Sequence, residues 1–180
     1  MIHDQEWEPA CPMRGCSYRT GDSTFRLRTN DAGGHTHDGG VRLGMTGRSA
    51  MTKDELADIY RSYIASLNQP DFPGLEQFVG QTVRHNGRSL GLSGYRKLLQ
   101  DSLDAIPDLY YEIELLLADP PYVACRLRFD CTPKGILFGL PVNGRRVVFT
   151  ENVFYEFTDG RIVAVWSVID KAAIETQIRS

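Results

Sequence analysis

The sequence predicts an α+β domain: a curved antiparallel sheet with helices packed on its concave face. Two observations carry that expectation. Helical periodicity is concentrated ahead of residue 107, and alternating strand patterns joined by tight turns fill most of the chain beyond it. Nor does any parallel strand–helix–strand signature or internal repeat interrupt that order.

Helical spacing begins just after Thr52. Leu56, Ile59, Tyr60, Tyr63, Ile64 and Leu67 fall at i, i+3, i+4, i+7, i+8 and i+11, one face of a helix. Thr52 and Glu55 have the spacing of a capping box at its start. The two prolines of NQPDFPG stop it. A short helical turn is expected around Leu75–Val79, then a brief strand QTVRH and a polar loop NGRSLGLSG. Ser93 is expected to cap a second long helix with an inner face of Tyr95, Leu98, Leu99, Leu103 and Ile106. Ile106-Pro107 marks its end.

Strands come next. LYYEIELLLADP reads as one, with DPP as its turn. In VACRLRFDCT, Val123, Cys125, Leu127, Phe129 and Cys131 alternate with Ala124, Arg126, Arg128, Asp130 and Thr132, so its two faces are unlike. Asn143-Gly144 is a tight-turn signal in the loop PKGILFGLPVNGRR. RVVFTENVFYEF is the next strand, and TDGR turns it into RIVAVWSVID. KAAIETQI is a closing short helix.

The composition changes near residue 51. Residues 1–50 hold GGHTHDGG, scattered arginines and almost no aliphatic periodicity, and are expected to be a disordered tail. Residues 51–180 form the α+β domain. His35 and His37 make only a weak metal motif, Cys11 and Cys16 lack zinc or redox spacing, and Met45 or Met51 is a candidate native start. Cys125 and Cys131 share strand parity and read as buried thiols. Hydrophobic residues make up 42% of the 180, enough for a core. A net charge of −3 gives no basic footprint for nucleic acid, and no apolar run reaches the roughly 20 residues of a membrane span. The expectation is a cytoplasmic protein without nucleic-acid or membrane partners.

Several residues could carry chemistry. Asp170 ends the apolar run VAVWSVID. Without a bulge it shares a face with Ile162, Ala164, Trp166 and Val168, and burial beside the indole would raise its pKa toward proton-transfer range. The alternative is that Asp170 caps the final helix. Glu151 interrupts the apolar face of Val147, Phe149, Val153, Tyr155 and Phe157; a bulge or a solvated patch would also explain it. His85, beside Asn86, ends the first strand and titrates near neutrality, as do many solvated loop histidines. Tyr60 and Tyr63 fit the core as well as a ligand pocket, and Trp166 fits a pocket wall or the core. Val148, Phe154, Val163 and Val165 would give the outer face an apolar row, which favours a homodimer.

HNGRSLGLSGYRKLL and GLPVNGRRVVFTENVFYEFTDGRIVAVWSVIDKAAIETQI resemble the SnoaL-like polyketide cyclases, or ester cyclases, of the nuclear transport factor 2-like superfamily of cone-shaped domains. The resemblance covers about residues 52–178, with PVNGR, DGRIV and the Trp-x-x-x-Asp ending in Asp170 most specific. It implies a cofactor-free intramolecular aldol cyclisation of a small hydrophobic carbonyl substrate. It also implies Asp170 as the proton-moving aspartate and His85 as the histidine after the first strand. Tyr63, Asn86, Glu151 and Trp166 are the candidate substrate contacts, and no metal is expected. One departure stands out: many members have Thr-His where this chain has Thr132-Pro133, and Glu151 is a possible substitute. Two other readings compete. A non-catalytic small-molecule-binding module shares the fold, and an epoxide hydrolase would need several carboxylates around one water.

Overall fold

The computed structural model describes residues 51–179. The expectations for the tail, for His35 and His37, for Cys11 and Cys16 and for Met45 lie outside the described residues.

Helix α1, Lys53–Leu67, begins as its sequence requires. The Thr52 hydroxyl accepts from the Glu55 amide at 3.2 Å, and the Glu55 carboxylate accepts from the Thr52 amide at 2.8 Å. These reciprocal bonds satisfy two amide donors at the helix start. Leu56, Tyr60, Tyr63, Ile64 and Leu67 are buried along one face. Helix α2, Leu75–Phe78, leads directly into strand β1, Val79–His85, and the loop beyond contains a two-residue strand β2, Arg88–Ser89.

Helix α3 runs Gly91–Ala105, three residues earlier than a Ser93 cap allows. Ser93 is therefore inside its first turn. Leu90 holds the cap position without a side-chain bond, and its amide bonds the Val83 carbonyl at 3.1 Å, so the chain from β1 sets the start.

Strands β3, Glu112–Asp119, and β4, Tyr122–Cys131, pair antiparallel. A hairpin of β5, Ile136–Leu137, and β6, Leu140–Pro141, comes after them. Then come β7, Val147–Thr158, β8, Arg161–Ile169, and helix α4, Lys171–Arg179. The main sheet has the order β2-β1-β8-β7-β4-β3. It is mixed rather than wholly antiparallel, because β1 lies parallel to β8. That pair joins distant parts of the chain, so no local spacing announces it.

Where β7 outruns β8, α4 takes the place of a strand. The Gln177 side chain accepts from the Val148 amide at 2.9 Å and donates to the Val148 carbonyl at 2.7 Å. Exposed strand edges left unpaired are costly, and this one is covered by a side chain.

A β-bulge decides which residues of β8 face inward. Glu156 pairs with Ala164 and Phe157 with Ile162, which leaves Val163 as the extra residue. Beyond it the inward parity is Val165, Ser167 and Ile169. Val165 is 3% exposed, whereas Trp166 is 41% exposed opposite Phe154 on the outer face. The expected facings of Trp166 and Val165 are thus both reversed. Val148 and Phe154 do lie on the outer face, joined there by Leu115, Leu117, Trp166 and Val168.

Candidate functional site

The inner face of β7 and β4 is built in layers. Phe149 pairs with Phe129, Glu151 with Leu127, Val153 with Cys125 and Tyr155 with Val123. Glu151 therefore stands between a phenylalanine layer on one side and a tyrosine layer on the other.

The tyrosine layer comes from four elements. Tyr60 and Tyr63 descend from α1, Tyr95 from α3, Tyr111 from the approach to β3 and Tyr155 from β7. The Tyr63 and Tyr95 hydroxyls are 2.8 Å apart and hydrogen-bonded. The Tyr155 ring lies 5.1 Å from that of Tyr60 and 5.9 Å from that of Tyr63. Burial pushes the pKa of all five phenols up, so all are neutral donors at ordinary pH. The Tyr60 hydroxyl is buried without a well-formed hydrogen bond, with the Cys125 thiol and Tyr155 as its polar neighbours. An orphaned buried donor is uncommon and marks a place where a ligand oxygen could bind.

Glu151 faces these layers from β7 and is half-buried. Burial raises its pKa from the usual carboxylate value, opposed in part by a hydrogen bond with Ser167, which faces it from β8. Its charge in turn bears on Tyr95, Tyr111, Tyr155 and Cys125. A carboxyl group held there can exchange a proton with something in the cone without competing water at every oxygen.

His85 also faces inward, half-buried at the end of β1, with its ring 6.3 Å from that of Tyr95. Burial, and secondarily Arg88, lowers its pKa, which keeps the imidazole neutral at pH 7. Tyr63 belongs to the packed tyrosine layer. Asn86 does not face the layer. Its side chain accepts from the Ser167 amide at 2.9 Å and donates to the Ser167 carbonyl at 3.4 Å, tying β1 to β8 from an exposed position.

Asp170 and Trp166 are set apart from this group. The Asp170 carboxylate accepts from the Ala173 amide at 3.1 Å, the bond of an N-cap, and its own amide donates to the Thr150 carbonyl at 2.9 Å. The expected inward face is lost because the bulge upstream turns Trp166 outward, and Asp170 lies beyond the end of the strand at Ile169. Thr132 and Pro133 close β4, with the Thr132 amide on the Asp108 carboxylate at 2.8 Å. Cys125 and Cys131 are buried free thiols, their pKa values raised by burial to about 11 and about 12. Sequence reasoning missed Tyr95, Tyr111, Tyr155 and Ser167 as members of the site. The available signal was the run of inward-facing tyrosines on separate elements.

Among the described residues no helix is long and apolar enough to cross a membrane. No curated protein sequence matches the chain. Among solved structures, a SnoaL-like polyketide cyclase from Agrobacterium tumefaciens is 54% identical, with a TM-score of 0.67 over 68% of this chain and 97% of that one. AclR from Streptomyces galilaeus, a candidate hydroxylase, is 23% identical over 71% of this chain and 98% of its own, with a TM-score of 0.59. IdmH from Streptomyces antibioticus is 19% identical over 70% and 99%, with a TM-score of 0.61. The last two show the shared fold alone. The sequence profile of SnoaL-like polyketide cyclases matches residues 57–178, across all the main elements of the cone, and the chain belongs to that family.

Proposed function

We propose that this chain is an enzyme that moves a proton on a small hydrophobic carbonyl compound and thereby closes a ring, with Glu151 as the acid–base group. The observation that carries the reading is the inward-facing, half-buried Glu151 carboxyl, its pKa raised by burial, among neutral hydroxyl donors. In its ionised form Glu151 takes a proton from the carbon beside a carbonyl. The C–H electron pair becomes the enolate, whose oxygen is received by the unpartnered Tyr60 hydroxyl. The enolate carbon attacks a second carbonyl of the same molecule, and the new alkoxide recovers the proton from Glu151. Atoms balance without a co-reactant. The walls contribute by holding one folded conformer, which makes the attack unimolecular.

Asp170, onto which the family's aspartate maps, is the competing base; its bond to the Ala173 amide favours a capping role here. The test is α-proton exchange of aryl ketones in D2O, followed by NMR, with wild type, Glu151→Gln and Asp170→Asn. The proposal expects exchange in wild type and Asp170→Asn and none above background in Glu151→Gln. Exchange that survives in Glu151→Gln and vanishes in Asp170→Asn returns the role to Asp170. Binding of such ketones without any exchange favours the non-catalytic module. We further propose that the apolar outer face pairs two copies of the chain, which light scattering would resolve.

A further inference from the structure

Four Xaa-Gly turns in the described chain place both residues at left-handed φ: Asn86-Gly87, Phe138-Gly139, Asn143-Gly144 and Asp159-Gly160. Three open with Asn or Asp, whose short side chains tolerate that conformation. The hairpin turn between β5 and β6 instead holds Phe138, at φ 49°. A bulky residue there is strained, and strain kept at one site invites a functional reason. Phe72 shares that backbone conformation, but it is fully buried, and core packing holds it in place. Phe138 is only half-buried, packed against the rim of the core rather than within it.

The ring of Phe138 points to a reason. It meets Phe149 edge-on at 6.0 Å, Phe149 stacks on Phe129 at 5.1 Å, and Phe129 meets Tyr111 at 5.6 Å. Phe149 is two residues from Glu151 on the same face of β7, so this column runs from the hairpin to the carboxyl layer. The base of the hairpin is pinned: the Asn143 amide bonds the Gly135 carbonyl at 2.7 Å, and the Gly144 amide bonds that of Pro133 at 3.0 Å. Leu137 is buried, while Ile136 is 66% exposed and Phe138 is half-buried. An aromatic side chain thus lies at the boundary between solvent and the phenylalanine layer, on a hairpin held at its base and by Leu137.

We propose that Phe138 is the gate residue of the cone: molecules reach Glu151 along the Phe149–Phe129 layer, beneath the β5–β6 hairpin, and the Phe138 ring must swing aside to admit them. The inference rests on the interior being the reaction site. It acts on access rates and on the size of substrate admitted, not on the proton step.

The test needs no turnover, so failure of the gate and failure of the proton-transfer reading are distinguishable. Cys125, beside Tyr60 and Glu151, reports on arrival in the interior. The full chain is treated with N-ethylmaleimide under native conditions, and modification of Cys125 is followed by peptide mass spectrometry. Phe138→Ala and Phe138→Asn should each accelerate it about tenfold; the Asn variant keeps a turn that Asn86 and Asn143 already support. Phe157→Leu, a core truncation far from the hairpin on the same face, serves as the stability control and should leave the rate unchanged. Wild-type rates in both Phe138 variants overturn the gate. So does equal acceleration by Phe157→Leu, which would mean that general loosening rather than the hairpin governs access.

Discussion

Two carboxylates interrupt apolar strands in this protein, and the fold treats them oppositely. Asp170, at the end of β8, is placed where the strand has run out, and its oxygen bonds the amide of a new helix. Glu151, in the middle of β7, has strands on both sides and an aromatic layer on either hand along its own face. The first position makes the charge cheap: the helix start supplies an amide donor and a favourable dipole end. The second makes it costly, and the cost appears as a raised pKa. A carboxylate at a strand end is thus a poor guide to chemistry by itself, while one at a strand centre has few structural reasons to be there.

The largest expected effect comes from removing the costly charge. Glu151→Gln should lower proton exchange by about 10²–10⁴-fold, the usual reach of general acid–base catalysis. Its stability should move the other way. The native state holds the Glu151 proton more tightly than the unfolded chain, so wild type loses stability as pH rises from the ordinary carboxylate pKa through the raised one. Thermal melts should therefore favour Glu151→Gln at pH 8 and show the gap closing toward pH 4. A gap that is constant with pH would mean the carboxyl is not buried in its charged state.

Tyr60→Phe comes next. It removes a buried hydroxyl without a hydrogen-bond partner, so turnover should fall about 10²–10³-fold while the melting temperature holds or rises. A clear loss of stability would show that the hydroxyl is bonded in solution and is not waiting for a ligand.

Asp170 sharpens the contrast from the other side. Asp170→Ala should cost about 1 kcal/mol in chemical denaturation, the usual value of an N-cap, and Asp170→Asn much less, since Asn caps nearly as well. Turnover of the Asn variant should stay within a few-fold of wild type. Trp166→Gln should have the smallest effect on chemistry, none beyond error, because the ring lies on the outer face; any change should be in light-scattering mass.

The interior of the cone had partial signals along the chain. The Thr52–Glu55 box, the α1 stripe, the two faces of β4 and the turns at Asn143-Gly144 and Asp159-Gly160 are local patterns, and they formed as local physics requires. Glu151 stood out as an anomaly for the same reason, since a period of two is counted within one strand. Its meaning was not local. The phenols around it arrive from α1, α3, the approach to β3 and β7, and their convergence depends on sheet curvature and helix docking.

By itself the sequence determined the α+β order of elements, the inward residues of α1, β4 and β7, and membership of a cyclase-like family through short motifs in the right succession. The tertiary structure alone decided the parallel β1–β8 pairing, the start of α3 two residues before Ser93, and the sides on which Trp166 and Asp170 stand. One extra residue, Val163, is enough for that last reversal: strand parity has a period of two, so a single-residue bulge turns every later side chain to the opposite face. Nothing within RIVAVWSVID marks the bulge, because it is fixed by pairing with β7 across the sheet.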